Sequence, residues 1–443
     1  MKHVVIVGGG FAGLSCARTL AGSNDVRVTL IDKNNYQQFQ PLLYQVATAA
    51  LAPSNVAFNL RNIFRHHSNV DVNMAEIISV DLHTRTAITA EGQSYQGDFL
   101  VLAAGSQANF FGTPGADKHS YPLYSLRDAE VLRSRIIAVL ESADRDPSLV
   151  EKGALNFVIV GAGPTGAEMA GAFGDAARLL QKERRFKNLA ASQAQIILVD
   201  HSQAVLNAFS DKSRSYAAKA LMQRGVQLRL GTSVVEVAPG YVVLSDGTRI
   251  KTRTVIWGGG LKAATLAGKL GVPPGRGGRI DVQPDLTVKG FDGVYALGDF
   301  ANIAGENGRA LPQLASVAEQ CGRWCARNIA LDIAGQPRVP FHYVDKGIMA
   351  MIGRNSAVAE VGVRRRGLQG PLAFIAWLGV HLALLTNTRA KIEALIEWAW
   401  DYFGRVRSNP ILDRSEQANI DWNSDEEDLA VSLDLDSSTR KVS

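Results

Sequence analysis

The sequence predicts an α/β protein with two doubly wound parallel sheets, and three observations carry that prediction. An apolar run, Val4-Val5-Ile6-Val7, leads straight into Gly8-Gly9-Gly10-Phe11-Ala12-Gly13 and then a helical stretch from Leu14 to Leu20. The pattern returns at Phe157-Val158-Ile159-Val160, followed by Gly161-Ala162-Gly163-Pro164-Thr165-Gly166 and by Ala167-Glu168 on a helix. In both places a further apolar strand ends in an acid: Asp32 after Val26 to Ile31, and Asp200 after Ile196 to Val199.

Each part has a physical reason. In strand–G-x-G-x-x-G–helix, the first glycine permits a tight turn and the second lets backbone approach a pyrophosphate. The third lets the helix pack on the strand. The helix start then presents free N–H groups and a positive dipole end to the phosphates. Asp32 stands 19 residues past Gly13, where an acid accepts from ribose hydroxyls. Asp200 is farther from its glycines because an Arg- and Lys-rich stretch around Lys182 to Lys187 intervenes. Two Rossmann-like folds imply two dinucleotides, FAD in the N-terminal fold and a nicotinamide cofactor in the inserted one. Asp200 would accept from a 2′-hydroxyl and repel a 2′-phosphate, and His201-Ser202 supply no Arg, so NADH is expected over NADPH, with Arg214 the nearby cation that opposes this.

The intervening chain reads in order. Tyr36 to Leu51 is rich in Gln, aromatics and small residues, and fits either a flat ligand face or a buried helix. Val70 to Gly97 alternates as short strands and turns. Phe99-Leu100-Val101-Leu102-Ala103-Ala104-Gly105 is a buried strand that would close the flavin-binding half. Pro114 to Ser125 reads as a crossover loop, Leu126 to Ala143 as a helix, and Val234 to Ile256 as a β-meander turning at Asp246-Gly247. Trp257-Gly258-Gly259-Gly260 marks the exit from the nicotinamide fold. The strand Val294-Tyr295-Ala296-Leu297 ends in Gly298-Asp299, which places Asp299 for a ribityl hydroxyl or, more simply, as a helix N-cap. A helix over Pro312 to Ala330 would turn its positive end to the flavin pyrimidine edge. The expected division is 1–125 and 261–340 for FAD, 126–260 for NADH, 341–414 for a C-terminal α/β region and 415–443 for an acidic disordered tail.

Composition agrees with two or three globular domains: 443 residues, 46% hydrophobic and 20% charged. The formal charge of +5 hides a division, since residues 421–443 hold seven acids against Arg440 and Lys441 and leave the rest at +10. A basic body fits nucleotide phosphates, an anionic membrane surface or plain solvated surface. Nucleic acid is not expected, because the basic residues cluster beside apolar helices rather than between stacking aromatics. Three cysteines make no disulfide framework, and the first strand starts at residue 3 with no room for a signal peptide, so the catalytic body is expected on the cytosolic side. No Cys/His cluster has metal or iron–sulfur spacing.

The C-terminal part differs. Phe341 to Val363 reads as strands of a further small domain, with Lys346-Gly347 in a turn. Leu368 to Thr388 contains no charged residue, is flanked by Arg364-Arg365-Arg366 and by Arg389 and Lys391, and is interrupted by Gly370, Pro371 and Gly379. Lys391 to Phe403 is amphipathic, with Ile392, Leu395, Ile396, Ala399, Tyr402 and Phe403 on one face and Trp398 and Trp400 suited to a headgroup-level belt. Three readings stand: a pair of helices lying on a membrane through residues 371–403, a membrane span over 368–388, or a buried dimer or core helix.

Taken together, these residues resemble the type II NADH:quinone oxidoreductases, the single-subunit, non-pumping NADH dehydrogenases. The likeness covers residues 3–412, and its most specific stretch is Phe39-Gln40-Pro41-Leu42-Leu43-Tyr44-Gln45-Val46-Ala47-Thr48. Asn109-Phe110-Phe111-Gly112, Ala318-Glu319-Gln320 and Asp345-Lys346-Gly347 add to it. The resemblance implies a peripheral enzyme on the cytoplasmic face of the cell membrane that passes hydride from NADH to FAD and two electrons to a membrane quinone. It implies Gly8, Gly10, Phe11, Ala12, Gly13, Asp32, Lys33, Gln45, Thr48, Ala104, Gly105, Gly298, Asp299, Leu314 and Ala315 around FAD. Gly161, Gly163, Pro164, Thr165, Gly166, Glu168, Asp200, Gly258 and Gly259 would hold NADH. Glu168, Gln320 and Lys346 take the catalytic places, and Gln45, Ser316, Gln320, Lys346 and Met349 the quinone contacts. Ser316 replaces the first glutamine of the family's A-Q-x-A-x-Q pattern. A homodimer through the C-terminal helices is a further expectation.

Rival functions remain distinct. A disulfide reductase needs a redox cysteine pair beside the flavin, and Cys321 and Cys325, at i and i+4 of one helix, aim poorly for a bridge. Sulfide:quinone oxidoreductases rely on cysteines from separate segments, and none lies between Cys16 and Cys321. Ferredoxin and rubredoxin reductases have no need of the apolar C-terminal helices. A membrane-associated flavoprotein that senses NADH without fast turnover is the alternative outside catalysis.

Overall fold

The computed structural model describes residues 1–183, 186–189, 193–306, 308–385, 387–403 and 419–423. The chain groups into two compact units. Met1–Gln38, Ala57–Gln107 and Leu261–Lys346 form the first; Phe39–Val56, Ala108–Gly260 and the chain from Gly347 form the second.

The first unit is built on a parallel sheet in the order Val294–Ala296, Phe99–Leu102, Lys2–Val7, Val26–Asp32, Val70–Met74. Residues 4–7 and the strand Phe99–Leu102 are continuous apolar runs because both faces are covered there, and Val4, Val5, Ile6, Val28, Leu30, Leu100 and Val101 are fully buried. The helices Phe11–Leu20 and Ala315–Ile333 meet backbone to backbone: a Cβ on Gly322 would lie 2.2 Å from the Ala12 carbonyl oxygen. A meander of Ile77–Asp81, Thr86–Thr89 and Ser94–Gln96 is the set of short strands expected before residue 97.

The second unit repeats the plan. Its parallel sheet runs Tyr121–Pro122, Thr254–Trp257, Asn156–Val160, Gln195–Asp200, Val226–Leu230, and its meander is Val234–Val237, Tyr241–Leu244, Arg249–Lys251. In both sheets the central strand is the one that ends in glycines, where a doubly wound fold opens its ligand crevice. The spacing from Gly166 to Asp200 is filled largely by the long helix Pro164–Glu183; the basic stretch around Lys182 to Lys187 lies partly outside the described residues.

The C-terminal region adds an antiparallel sheet, Gly347–Gly353, Ser356–Val361 and Arg366–Gly370, then helices Pro371–Leu384 and Thr388–Phe403. Two expectations change here. The uncharged stretch from Leu368 begins in a strand, and its helix is 14 residues, about 21 Å, short of the ~30 Å of a bilayer core. Among the described residues no helix is long and apolar enough to cross a membrane, which removes the spanning reading. Thr386 lies outside the described residues.

The tail expected to be disordered from residue 415 also differs, because Asn419 to Asn423 are described and packed. Ile420 and Trp422 rest on Val139, Ala143, Ala154 and Leu155. The rest of the 415–443 segment lies outside the described residues.

Candidate functional site

Both glycine turns have the geometry that their residues dictate. Gly8 and Gly161 adopt φ of +103° and +98°, and a Cβ there would lie 2.2 Å from Ala103 O and 2.6 Å from Gly258 O. On Gly13 and Gly166 a Cβ would lie 1.9 and 1.8 Å from the carbonyl oxygens of Gly8 and Gly161. At Gly10 and Gly163 it would meet nothing within 4 Å, so the second glycine of each turn faces open space. The Phe11–Leu20 helix has no side-chain cap at Gly10, which leaves its first N–H groups for a ligand. These turns fit two dinucleotide pyrophosphates.

The two acids are held alike. Asp32 Oδ2 accepts from Gly9 N at 2.6 Å and its Oδ1 from Asn34 N at 2.7 Å. Asp200 Oδ2 accepts from Ala162 N at 2.6 Å and its Oδ1 from Ser202 N at 2.7 Å. Each carboxylate therefore braces the middle of its glycine turn while standing at the strand end expected for a ribose. Burial pushes Asp32 above the usual carboxylate range, opposed by the Asn34 and Gly9 N–H groups.

The remaining residues assigned to FAD in the first unit cluster by element. Ala104 and Gly105 follow the Phe99–Leu102 strand. Gly298 has φ +61° and donates its N–H to Cys321 Sγ, and Asp299 accepts from Ser106 Oγ at 2.9 Å while burial raises its carboxyl. Leu314 is the N-cap of the Ala315–Ile333 helix and supplies no side-chain cap. Lys33 and Lys346 are exposed. Ser316 Oγ pairs with Tyr343 OH, and Gln320 clamps Val344 from both sides, donating from Nε2 to its carbonyl and accepting at Oε1 from its N–H, each at 3.0 Å. Gln320 thus fixes the backbone two residues before Lys346.

Cys16, Cys321 and Cys325 are free and fully buried in this unit. Burial pushes the Cys321 thiol up to about 12 and raises Cys325 as well, with Cys16 beside it adding to the rise. Thiols held protonated in this way are poor nucleophiles, which weighs against disulfide chemistry.

In the second unit the structure gathers a cavity that the sequence reading only partly anticipated. It has about 650 Å³ of empty space, part of it continuous with solvent. Its walls include Tyr44, Gln45 and Thr48 from the buried helix Leu43–Ala47 and its cap, Glu168 and Asp175 from Pro164–Glu183, and Met351 from Gly347–Gly353. Phe374, Trp398 and Tyr402 from the two C-terminal helices complete it. Close backbone approach sets the arrangement: a Cβ on Gly171 would sit 2.0 Å from Ile352 O. With that helix pressed on the strand, Glu168, one turn earlier on the same face, accepts from Met351 N at 3.2 Å. One turn later, Asp175 accepts from Arg354 N at 2.7 Å and pairs with Arg224. Met349, assigned to the quinone, is half-buried on the same strand but does not line the cavity.

Glu168 is the unusual group here. Only 8% exposed and in no salt bridge among the described residues, its carboxyl is pushed up to about 8 by burial, with Met351 N–H pulling the other way. The Trp377 indole N–H lies beside it and offsets part of the rise, although it closes no hydrogen bond of ordinary geometry. Trp377 stacks on His381 at 3.8 Å, and burial brings that imidazole down to about 4, so it is neutral and donates from Nδ1 to Trp377 O. Gln45 donates to Tyr44 OH at 3.0 Å and accepts from Trp398 Nε1 at 2.8 Å. Trp398, expected in a headgroup belt, instead points inward, because Ala390, Ala394 and Trp398 form the helix side turned to the protein; Trp400 is 64% exposed. Phe374, Trp398 and Tyr402 carry no motif as cavity residues, since their convergence with Tyr44 and Glu168 depends on segments far apart in the chain.

The family-specific stretch Asn109-Phe110-Phe111-Gly112 secures the exit of the nicotinamide fold. Asn109 accepts at its carbonyl from Trp257 Nε1 at 2.9 Å and donates its N–H to Gly260 O at 3.0 Å, and Phe110 packs on Trp257. Gly258 is tied back to the central strand through its N–H to Val160 O.

Comparison with known proteins accords with this geometry. The model of the pyridine nucleotide-disulphide oxidoreductase family matches residues 2–322. The type II NADH:quinone oxidoreductase of Mycobacterium tuberculosis is 36% identical over 421 residues, covering 91% of this chain and 89% of that one. An internal alternative NAD(P)H-ubiquinone oxidoreductase of Solanum tuberosum mitochondria is 28% identical, covering 89% and 85%. In fold, the chain is similar to the NDH2 structure from Plasmodium falciparum in complex with NADH, at a TM-score of 0.83 with 18% identity, covering 93% and 99%. Identity at the mycobacterial level runs through both nucleotide folds and into the C-terminal region, so the chain belongs to the type II NADH:quinone oxidoreductases.

Proposed function

We propose that the chain carries out its family's NADH:quinone oxidoreduction at a membrane surface, with the Glu168 cavity as the place where a quinone head group meets a proton donor. As a family member it is an oxidoreductase that uses FAD and NADH and reduces a quinone. FAD, when bound, supplies the chemistry, accepting hydride from the nicotinamide and passing two electrons on. Gly8, Gly10 and Gly13 with Asp32, Ala104, Gly105, Asp299 and the start of the Ala315–Ile333 helix would hold it. Gly161, Gly163, Gly166, Asp200, Gly258 and Gly259 would hold NADH.

The observation that carries the cavity's role is the buried Glu168, held by Met351 N and raised by burial. With Oε1 accepting from Met351 N and burial raising the carboxyl to about 8, Oε2 is the oxygen that would carry a proton for an acceptor in the cavity. Gln45, oriented by Tyr44 and Trp398, keeps a second N–H to offer a quinone carbonyl. Phe374, Leu378 and Met351 supply apolar walls that exclude water from a flat ring. Lys346 would stabilise negative charge on the reduced flavin, and Gln320 would fix the turn that carries it.

Anaerobic mixing tests this reading. NADH should bleach the flavin of the FAD-loaded protein, and a short-chain quinone should restore its colour over many turnovers. NADPH in parallel should bleach it at least about tenfold more slowly, because Asp200 repels a 2′-phosphate. Bleaching that quinone leaves in place would point to another acceptor, and binding without bleaching to a sensor.

Membrane association rests on a different observation. Leu372, Ile375, Val380 and Leu384 on one helix, and Ile392, Leu395, Ile396 and Trp400 on the next, are each at least 41% exposed. Arg364, Arg366 and Arg389 stand near these helices in the chain, and the patch exceeds what scattered surface residues explain. The free cysteines favour a reducing compartment, so the cytoplasmic face is the side proposed. Replacing Ile375 and Ile396 together by Ser should lower the fraction floating with anionic vesicles at least about tenfold and leave soluble-quinone turnover unchanged. If flotation holds while a detergent-stable dimer dissociates, the face is a homodimer interface instead. No nucleic-acid partner is proposed.

A further inference from the structure

Phe111 combines two features that a packed side chain does not need. Its ring is 66% exposed, and its backbone stands at φ +52°, a left-handed conformation that is costly for a bulky residue. Strain of this kind persists only where the surroundings fix it, and it gathers at ligand sites. Here both flanks fix it. Asn109 Oδ1 accepts from Phe111 N at 3.0 Å, and the Phe110 ring packs on Trp257 with centroids 5.5 Å apart.

The exposed ring also has a defined seat. It rests on Gly260, where a Cβ would lie 2.8 Å from Phe111 Cζ and 3.2 Å from Cε2. Gly258, Gly259 and Gly260 therefore make a half-exposed strip of bare backbone at the carboxyl end of the Thr254–Trp257 strand, with Phe111 standing at its Gly260 end. The other end of the strip touches the glycine turn: a Cβ on Gly161 would lie 2.6 Å from Gly258 O and 2.8 Å from Gly259 Cα.

Sheet order decides what lies over this strip. The central strand Asn156–Val160 has Gln195–Asp200 on one side and Thr254–Trp257 on the other. With the pyrophosphate on the Gly161 to Gly166 turn and the adenosine ribose at Asp200, the adenosine half of NADH occupies the first side. The nicotinamide half then leaves the turn over the second side, along Gly258 and Gly259 toward Phe111. We infer that Phe111 is a further NADH-binding residue, its exposed ring forming the apolar wall that the nicotinamide ring meets beyond the bare backbone strip. The inference rests on the assignment of NADH to this turn. A ring already held by its strained backbone loses little freedom on binding, so the contact keeps most of its apolar gain.

Equilibrium binding to the full, FAD-loaded chain tests this with two probes. NAD+ cannot reduce the flavin, and ADP-ribose shares its adenosine and pyrophosphate but has no nicotinamide. Phe111→Ala should weaken NAD+ at least about tenfold and leave ADP-ribose within about twofold of the parent, whereas Phe111→Tyr should bind both as the parent does. Phe111→Gly should lose NAD+ affinity like Phe111→Ala yet melt no lower than the parent, because glycine takes φ +52° without strain. Unchanged NAD+ affinity in Phe111→Ala overturns the inference, as does equal weakening of both probes. A parent that binds neither probe would overturn the nucleotide-site reading, and this inference with it.

Discussion

Replacing Glu168 by Gln is expected to lower kcat for quinone reduction about a hundredfold or more while the KM for NADH stays within about threefold. The amide keeps an oxygen for Met351 N but has no proton to give, and proton transfer from a placed side chain contributes 10² or more. The pH profiles separate this role from simple packing. With the carboxyl near 8, the parent's activity should fall as pH rises through about 8, since the proton-bearing form is the useful one. The variant should lack that limb.

The same group makes stability depend on pH, with a definite sign. A carboxyl that is about 8 when folded and 4.5 in the ordinary state keeps its proton in the fold where the unfolded chain has lost it. Stability from this group is therefore intact below about 4.5, declines between 4.5 and 8 and is flat above, a total on the order of 5 kcal/mol. Thermal melts across that range should show the parent losing stability relative to Glu168→Gln as pH rises. Parallel melting curves would remove the buried-acid account.

The paired substitutions Gly13→Ala and Gly166→Ala should separate the two nucleotide sites. A methyl at either position would overlap a carbonyl oxygen, at 1.9 Å in the first turn and 1.8 Å in the second, and only a shift of the helix start relieves it. The N–H groups meant for the phosphates then move, and displacement of this size costs on the order of a hundredfold in binding. Gly13→Ala is expected to purify with little flavin, read from its visible absorbance. Gly166→Ala should keep its flavin but require at least about a hundredfold more NADH for half-maximal bleaching. Equal flavin content and equal NADH response in both variants would mean that these turns do not hold the phosphates.

Reading along the chain was enough for both parallel sheets, both glycine turns and both strand-end acids. Those features depend on spacing within about forty residues, and steric rules fix what a G-x-G-x-x-G turn becomes. The bracing of Gly9 by Asp32 and of Ala162 by Asp200 follows from the same local economy. The cavity could not be read this way. Tyr44, Glu168, Met351 and Trp398 are separated by a hundred residues or more at most steps, and no periodicity marks them as partners. They converge because Gly171 lets a helix touch a strand and because small alanines on the Thr388–Phe403 helix turn Trp398 inward. Hydropathy likewise gave a 21-residue uncharged stretch but not its division into strand and short helix, which the antiparallel pairing of Arg366–Gly370 with Ser356–Val361 imposes. Asn419 to Asn423 looked like acidic tail because Arg135 and Arg253, which donate to the Asn419 and Trp422 carbonyls, lie more than 160 residues earlier. Local stereochemistry is written in neighbouring residues, whereas burial of a charge or the wall of a cavity exists only once distant segments have packed.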